Sequence, residues 1–111
     1  MDTATDMRMV DLSGPRTVRY AEETRTLLLE ALQGSSPVAL DCSAVSEADL
    51  SFVQLLLAAR RSAQLSGNVV TLAHSPGGVL RQALSRAGFG LSPDPLTGNQ
   101  SQWLKKEGED A

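Results

Sequence analysis

The stretch from residue 38 to residue 64 constrains the fold more than any other, because a short apolar run, a polar turn and a long amphipathic segment follow one another there. The apolar run Val-Ala-Leu follows Pro37 and ends at Asp41 and Cys42, whose side chains can hydrogen-bond to backbone that leaves a sheet. From about residue 51 to 65, apolar side chains cover more than half of a helix circumference, as in a helix laid on a sheet. The stretch therefore predicts a buried strand followed by a covering helix.

Two residues compete to begin this helix. Ser51 and Gln54 fit a capping box, in which the serine hydroxyl accepts from the backbone N–H of the glutamine and the glutamine side chain reaches back. Asp49 is the rival N-cap. The helix start therefore lies within about two residues of Ser51.

The segments on either side extend the pattern to an α/β domain. Gly67 and Asn68 turn the chain into a β-branched run at 69–73, and strand, helix and strand of these lengths imply a right-handed parallel crossover. Met9, Val10 and Leu12 predict a first strand, closed by a turn at Gly14 and Pro15. Apolar spacing predicts two more helices, one before the central strand and one that ends near Gly88.

We therefore predict a small mixed β-sheet whose inner strands are parallel, with helices at about 21–33, 51–65 and 77–87 packed mainly on one side. The predicted core consists of aliphatic side chains: Val38, Leu40, Val53, Leu56, Val70, Leu72, Leu80 and Leu84. We expect residues 1–8 to be a flexible N-terminus, 9–91 to be the domain and 92–111 to be a tail. In the tail, a short helix at 100–107 is expected, anchored by Trp103 and Leu104.

The central stretch resembles the STAS domain of bacterial anti-sigma-factor antagonists. The similar residues are Val-Ala-Leu-Asp-Cys-Ser-Ala-Val and then Asp49-Leu50-Ser51-Phe52 at the start of a leucine-rich helix, and the layout agrees from about Met9 to Leu91. In that family the turn usually reads Asp-Ser-Ser-Gly or Asp-Ser-Ala-Gly, and a partner kinase phosphorylates a hydroxyl residue in it. This chain keeps the aspartate and one serine but has leucine for the first serine and phenylalanine for the glycine.

The resemblance implies phosphorylation at Ser51 and partner binding by Asp49, Leu50 and Phe52. A phosphate on Ser51 would lie at the positive end of a helix, where free N–H groups favour negative charge. The alternative is that Ser51 is only a helix cap, and the sequence leaves both open. Leu50 and Phe52 form a docking patch if exposed and a hydrophobic staple if buried, and we expect at least one to be partly exposed.

Other kinds of site are disfavoured because the further residues that each would need are missing. Asp41 could be the phosphoacceptor of a receiver domain, but that site needs an acidic pair and a lysine, and the only lysines are Lys105 and Lys106. His74 is the sole histidine, so it is read as a loop residue, and no metal cluster or catalytic triad is expected. We expect Arg60 and Arg61 to lie on the solvated face of a helix. Gly77-Gly78 follows a strand at a helix start, as a phosphate loop would, but lacks the rest of either nucleotide-binding motif.

Composition limits the class of protein. The 111 residues suffice for one domain, and a formal charge of −3 provides no basic field for nucleic acid or an anionic membrane. With Cys42 as the only cysteine and no signal sequence or spanning segment in view, we expect a cytoplasmic protein. We expect no catalytic activity, cofactor or metal, so that function comes from binding partners.

Three functional settings follow. The first is a signalling STAS protein that binds a serine kinase, an anti-sigma factor or a sensor kinase, as anti-sigma-factor antagonists and related proteins of chemotaxis-type clusters do. The second is a structural STAS subunit that supports the ATPase of a bacterial phospholipid-transport ABC system. The third, a receiver-like phosphoaspartate switch at Asp41, is the least favoured.

Overall fold

A computed structural model of the chain describes residues 7–73, 78–94 and 98–106, which form seven strands, three α-helices and a 3₁₀ turn. In chain order they are β1 (Arg8–Asp11), β2 (Gly14–Arg16), a 3₁₀ helix (Val18–Tyr20), α1 (Ala21–Ala31), β3 (Val38–Asp41), β4 (Val45–Ala48), α2 (Leu50–Leu65), β5 (Val70–Leu72), α3 (Gly78–Arg86), β6 (Phe89–Asp94) and β7 (Gly98–Lys106).

The main sheet has five strands in the order β1-β3-β5-β7-β6. The first three are parallel, with Val38 opposite both Arg8 and Val70. β7 runs antiparallel to β5 and to β6, so β6 and β7 form a hairpin that closes the β5 side of the sheet. The predicted mixed sheet is therefore confirmed, and the inner strands β3 and β5 are parallel as expected, but the third inner strand, β7, is antiparallel to both of its neighbours.

A second, two-stranded sheet was not predicted from the sequence. β2 pairs in parallel with β4, and Gly14 stands at its start with φ of 72°, a conformation that an L side chain rarely adopts. The expected turn at Gly14 and Pro15 is wrong in this respect, since Pro15 belongs to a strand. This small sheet brings the segment before α1 next to the segment before α2.

The helices α1 and α2 contact each other and connect successive parallel strands. Successive right-handed crossovers in one direction place their helices on the same face of a sheet. α2 ends in a Schellman motif at Gly67, where the N–H of Gly67 donates to the carbonyl of Gln64 and that of Asn68 to the carbonyl of Ala63. Gly88 likewise follows α3 with a φ of 85°.

All eight predicted core residues are buried. Leu40 and Leu72 on the sheet, Val53 and Leu56 on α2 and Leu80 on α3 belong to one apolar cluster. Burial of this continuous aliphatic surface is the main stabilising contribution to the fold.

The C-terminal part of the chain differs most from expectation. The short helix predicted at 100–107 is wrong, because the structure has β7 there, with Trp103 and Leu104 packed in the core cluster. Arg60 was expected on the solvated face of α2, but it is only 7% exposed and its guanidinium lies 4.6 Å from the ring centroid of Trp103. Arg61 is exposed, as predicted. His74 and Gly77 lie outside the described residues.

Candidate functional site at the start of helix α2

Asp49 is the N-cap of α2, and its carboxylate holds the start of the helix together. Its Oδ1 accepts hydrogen bonds from the backbone N–H of Ser51 at 3.0 Å and of Phe52 at 3.3 Å, and from the Ser51 hydroxyl at 2.6 Å. The predicted capping box with Ser51 as the cap is therefore wrong, and the rival cap is the one observed. An extended backbone at Asp49 (φ −139°, ψ −173°) lets its short side chain fold back over the first turn.

The second oxygen of Asp49 binds a different part of the chain. Oδ2 accepts the backbone N–H of Val18 at 2.9 Å, so this one side chain joins α2 to the 3₁₀ helix that precedes α1. Burial raises the pKa of Asp49, but the hydrogen bonds from Ser51, Val18 and Phe52 outweigh it and the pKa is lowered overall. The carboxylate is therefore ionised at neutral pH and stabilised in that form.

Ser51 lies in the first turn of α2 and is half-buried. Its side chain is oriented by the short bond to Asp49, at the helix end where backbone N–H groups are not used within the helix. The hydroxyl is thus placed where a helix terminus favours added negative charge, although Asp49 opposes it.

The two apolar residues beside Ser51 have opposite environments. Leu50 is 54% exposed, which agrees with the expectation that at least one of them faces solvent. Phe52 is 1% exposed and belongs to the core, so its assignment to a partner-binding surface is corrected: the side chain points from α2 into the apolar cluster. Phe52 contributes to the site by anchoring the first turn of α2 rather than by contacting a partner.

The structure adds Val18 to the site. This residue is 70% exposed, and its N–H bond to Asp49 places it beside the start of α2. Val18 and Leu50 are thus two exposed apolar residues next to Asp49, one through its N–H bond to the carboxylate and the other as the next residue in the chain. No local sequence pattern indicated this, because the two residues come from separate segments joined only by the tertiary hydrogen bond.

Arg16 fixes the segment that carries Val18. Its Nε donates to the carbonyl oxygen of Ser13 at 3.0 Å, its Nη1 to Oγ1 of Thr24 at 3.0 Å, and its Nη2 lies 3.4 Å from a carboxylate oxygen of Glu23. Arg16 and Thr24 are both buried, so this network ties β2 to α1 in a low-dielectric setting. It is a structural support for the site that the sequence alone did not reveal.

Asp41 has a structural role of its own at the end of β3. Its Oδ1 accepts from the backbone N–H of Ser43 at 3.0 Å and from the Ser43 hydroxyl at 2.6 Å, as predicted for a residue that caps the turn after its strand. The next residue, Cys42, is buried, and desolvation together with the neighbouring Asp41 charge raises its pKa to about 12. Its thiol is therefore protonated at neutral pH and chemically inert.

Two features are absent from the part of the chain that the structure describes. Within it, no group of three or more His, Cys, Asp or Glu side chains is arranged to hold a metal ion. Within the same ranges, no helix has the length and apolar character needed to cross a bilayer.

Comparison with known proteins gives one match. A family model described as "Mlab, STAS domain" matches residues 2–91, which is most of the chain and includes both segments of the site. Neither the curated proteins nor the solved structures gave a match. The family match and the mixed sheet with its helix α2 agree with the resemblance noted in the sequence, and the chain belongs to the STAS domain family.

Proposed function

We propose that this STAS domain is a non-enzymatic signalling protein that binds a serine kinase, a sensor kinase or an anti-sigma-type regulator through the start of α2, and that phosphorylation of Ser51 weakens this binding. STAS domains commonly mediate protein–protein interactions. The observation that carries the proposal is the arrangement at the N-terminus of α2, where Asp49 binds both the Ser51 hydroxyl and the backbone N–H of Val18, and where Val18 and Leu50 are exposed.

The apolar pair gives a reason for affinity. Leu50 and Val18 are solvated in the free protein, so a partner that covers them removes apolar surface from water. The backbone of both residues is held near Asp49, because Leu50 is the first residue of the helix that Asp49 caps and the N–H of Val18 donates to its carboxylate. A partner would therefore meet a surface that is already ordered, which limits the entropy lost on binding.

Phosphorylation at Ser51 supplies a reason for release. A phosphate on Oγ of Ser51 takes the place of the hydroxyl hydrogen, so the 2.6 Å hydrogen bond to Asp49 is lost. The phosphate also adds about 1.5 to 2 negative charges beside that carboxylate and next to Leu50. In a complex these charges would have to lose water against an apolar contact, which is unfavourable without a compensating cation. The affinity of the partner for the phosphorylated form should therefore fall.

The experiment is a calorimetric titration of wild type, Ser51→Ala and Ser51→Asp against the partner kinase or regulator that co-purifies from the native cell. Ser51→Asp should weaken the complex at least about tenfold, equivalent to about 1.4 kcal/mol, whereas Ser51→Ala should bind as wild type does and resist release by phosphorylation. Ser85→Asp, which alters an exposed serine on α3, is the matched control for added charge. Equal affinities for all the variants would contradict a switch at Ser51.

A second candidate is the structural STAS subunit of a phospholipid-transport ABC system. The observation that favours it is that Phe52 is buried in the core at the position where the phosphorylated turn of anti-sigma-factor antagonists has glycine. A turn of this kind suits constitutive binding. Mass spectrometry of the co-purified complex separates the two: an ATPase and a permease, with unmodified Ser51, would favour the structural subunit over the switch.

The absence of an enzymatic role is part of the proposal. Among the described residues, Asp41 and Asp49 both serve to cap local structure, and the Cys42 thiol is protonated. Turnover of a substrate that a single substitution at Asp41 or Ser51 abolishes would contradict a purely binding function.

A further inference from the structure

Among the described residues, the carboxylate of Asp49 accepts four hydrogen bonds, and three of them come from the first turn of α2. The backbone N–H and the hydroxyl of Ser51 and the backbone N–H of Phe52 all donate to Oδ1. The fourth donor is the N–H of Val18, which reaches Oδ2 at 2.9 Å from the 3₁₀ helix that precedes α1. The position of the acceptor for Val18 is therefore set by the first turn of α2.

Side-chain burial contributes little to the position of the 3₁₀ helix. None of its three residues is buried, and Val18 is 70% exposed. The hydrogen bond from the N–H of Tyr20 to the carbonyl of Thr17 stays within the same stretch of chain. A segment without buried side chains opens locally at a low cost in free energy. The bond from Val18 to Asp49 therefore contributes much of what holds this segment at the start of α2.

The elements on both sides of this segment are joined to each other directly. Arg16 at the end of β2 donates from Nη1 to Oγ1 of Thr24 in α1 at 3.0 Å, and both residues are buried. This contact does not depend on Asp49. Loss of the Val18 bond therefore changes the connection between β2 and α1, residues 17–20, and leaves its two ends in place.

We propose that the bond between Val18 and Asp49 is a latch, and that phosphorylation of Ser51 opens it and frees residues 17–20 from the start of α2. Phosphorylation forms a bond between Oγ of Ser51 and the γ-phosphorus of a nucleoside triphosphate that the partner kinase supplies. It breaks the bond from that phosphorus to the nucleoside diphosphate and releases the hydroxyl proton to water.

The phosphate acts on every other bond that Asp49 makes. The hydrogen bond from the Ser51 hydroxyl is lost, and the phosphate oxygens compete with Oδ1 for the N–H groups of Ser51 and Phe52. Two anions side by side also repel each other, so the carboxylate is displaced from the first turn. The acceptor of the Val18 N–H moves with it.

The latch rests on the proposed function, because it takes Ser51 as the modified residue, and it adds a second cause of partner release. In the unmodified protein Val18 and Leu50 are both exposed and both lie next to Asp49. Opening of the latch leaves Leu50 on α2 but removes Val18 from a fixed position. A partner that contacts both residues then has to order the freed segment on binding, which lowers its affinity.

Limited proteolysis of the free protein tests the latch without a partner. Trypsin cleaves after Arg19, an exposed residue of the 3₁₀ helix, and the rate measured by mass spectrometry reports how often this segment opens. Ser51→Asp should raise this rate at least about fivefold, because the latch bond is lost. Asp49→Asn should also raise it, since asparagine still caps the helix but presents an NH₂ donor in place of one acceptor oxygen.

Cleavage after Arg61, an exposed residue within α2, is the internal control and should not change in either variant. Unchanged cleavage after Arg19 in Ser51→Asp would overturn the latch. An equal increase after Arg19 and Arg61 would overturn it as well, because the substitution would then destabilise the whole fold.

A calorimetric titration with the co-purified kinase or regulator separates the latch from the proposed function. Val18→Pro removes the N–H but keeps an apolar side chain, and it suits this position because Val18 begins the 3₁₀ helix and Thr17 before it is extended. Ser51→Asp should weaken binding less in the Val18→Pro background than in the wild-type background, because the latch is already open there.

An equal loss of affinity in the two backgrounds would overturn the latch as a cause of release and leave the switch at Ser51 intact. If Ser51→Asp raises cleavage after Arg19 but leaves partner affinity unchanged, the latch is supported and the proposed function is contradicted.

Discussion

The hydroxyl of Ser51 donates a 2.6 Å hydrogen bond to the carboxylate of Asp49. The other oxygen of the same carboxylate accepts the backbone N–H of Val18, 31 residues earlier in the chain. Asp49 therefore couples the first turn of α2 to the segment before α1. A change at Ser51 therefore acts on Asp49 by direct contact and on Val18 only through Asp49.

Asp49→Ala should lower the free energy of unfolding by about 1 to 2 kcal/mol at pH 7, because it removes the N-cap and the bond to Val18. The pKa of Asp49 is lowered on folding from its ordinary 3.8, so the stabilisation from its charge is present above that value and is lost as the pH falls through the lower folded pKa. Urea denaturation at pH 7 and near pH 2 measures this. Glu47→Ala, which removes an exposed acid on β4, is the control. If the difference in free energy of unfolding between wild type and Asp49→Ala is the same at both pH values, the Asp49 charge does not stabilise the fold.

Ser51→Asp should increase hydrogen exchange at the Val18 amide. The added carboxylate repels Asp49, which weakens the acceptor that protects this N–H. Ser51→Ala leaves the Asp49 charge without a like-charged neighbour and should preserve protection close to that of wild type. Amide exchange followed by NMR measures both variants. Identical protection of Val18 in all three proteins would show that Ser51 and Val18 are not coupled.

Phe52→Ala should destabilise the fold by about 3 to 5 kcal/mol, since the side chain is 1% exposed in the core cluster. Leu50→Ala should change stability by no more than about 0.5 kcal/mol, because Leu50 is largely solvated. Leu50→Ala should weaken partner binding more than Phe52→Ala does, when each variant is measured at a temperature at which it is folded. Urea denaturation and calorimetric titration separate the two effects, and a stable Phe52→Ala variant would be evidence against its burial.

Arg60→Ala should destabilise the protein by about 1 to 2 kcal/mol through loss of the contact with Trp103 and of packing by the side-chain stem. Arg61→Ala, one residue further along α2, is the matched control and should lie within about 0.5 kcal/mol of wild type. Trp103 is the only tryptophan, so its fluorescence reports unfolding at β7 in both variants. Equal stabilities for the two variants would contradict the buried position of Arg60.

Cys42 should react with an aromatic disulfide reagent only after unfolding. Its thiol is buried, and burial raises its pKa to about 12, so almost no thiolate is available at pH 8. The measurement is the rate of thiol release with and without denaturant. Rapid reaction of the native protein at pH 8 would show that the end of β3 opens to solvent.

The sequence predicts those elements whose residues are buried together. Apart from Asp41 at the end of β3 and Thr71 in β5, these two strands are apolar, and the helices have clear apolar stripes, so the local pattern is enough to predict them. β4 reads Val-Ser-Glu-Ala and buries only Val45, so its strand character depends on pairing with β2, far away in sequence. β7 is polar apart from Trp103 and Leu104, and its pairing with β6 and β5 prevails over the expected helix.

At the candidate site, the sequence predicts roles for Asp49, Leu50 and Ser51 but not how these residues are connected to the rest of the chain. Asp49 is the cap that the structure has, and the same side chain also binds the N–H of Val18, a residue from a distant segment that no local pattern brings near the helix start. Whether Phe52 is buried or exposed is not determined by local sequence either, because an apolar residue in the first turn of a helix can face the core or the solvent. The position of α2 over the sheet buries this side chain.

The family match ends at Leu91, within β6, but β7 lies beyond that limit and hydrogen-bonds to β5 through the Leu72 and Gln102 pair. A chain shortened to the family boundary would leave the backbone of β5 with an unsatisfied edge, formed by residues that are all buried in the whole protein. Such an edge is a template for strand addition from other molecules, so the shortened chain should aggregate. A shortened or transplanted form of this domain should therefore extend through Lys106, so that β7 still covers the edge of β5.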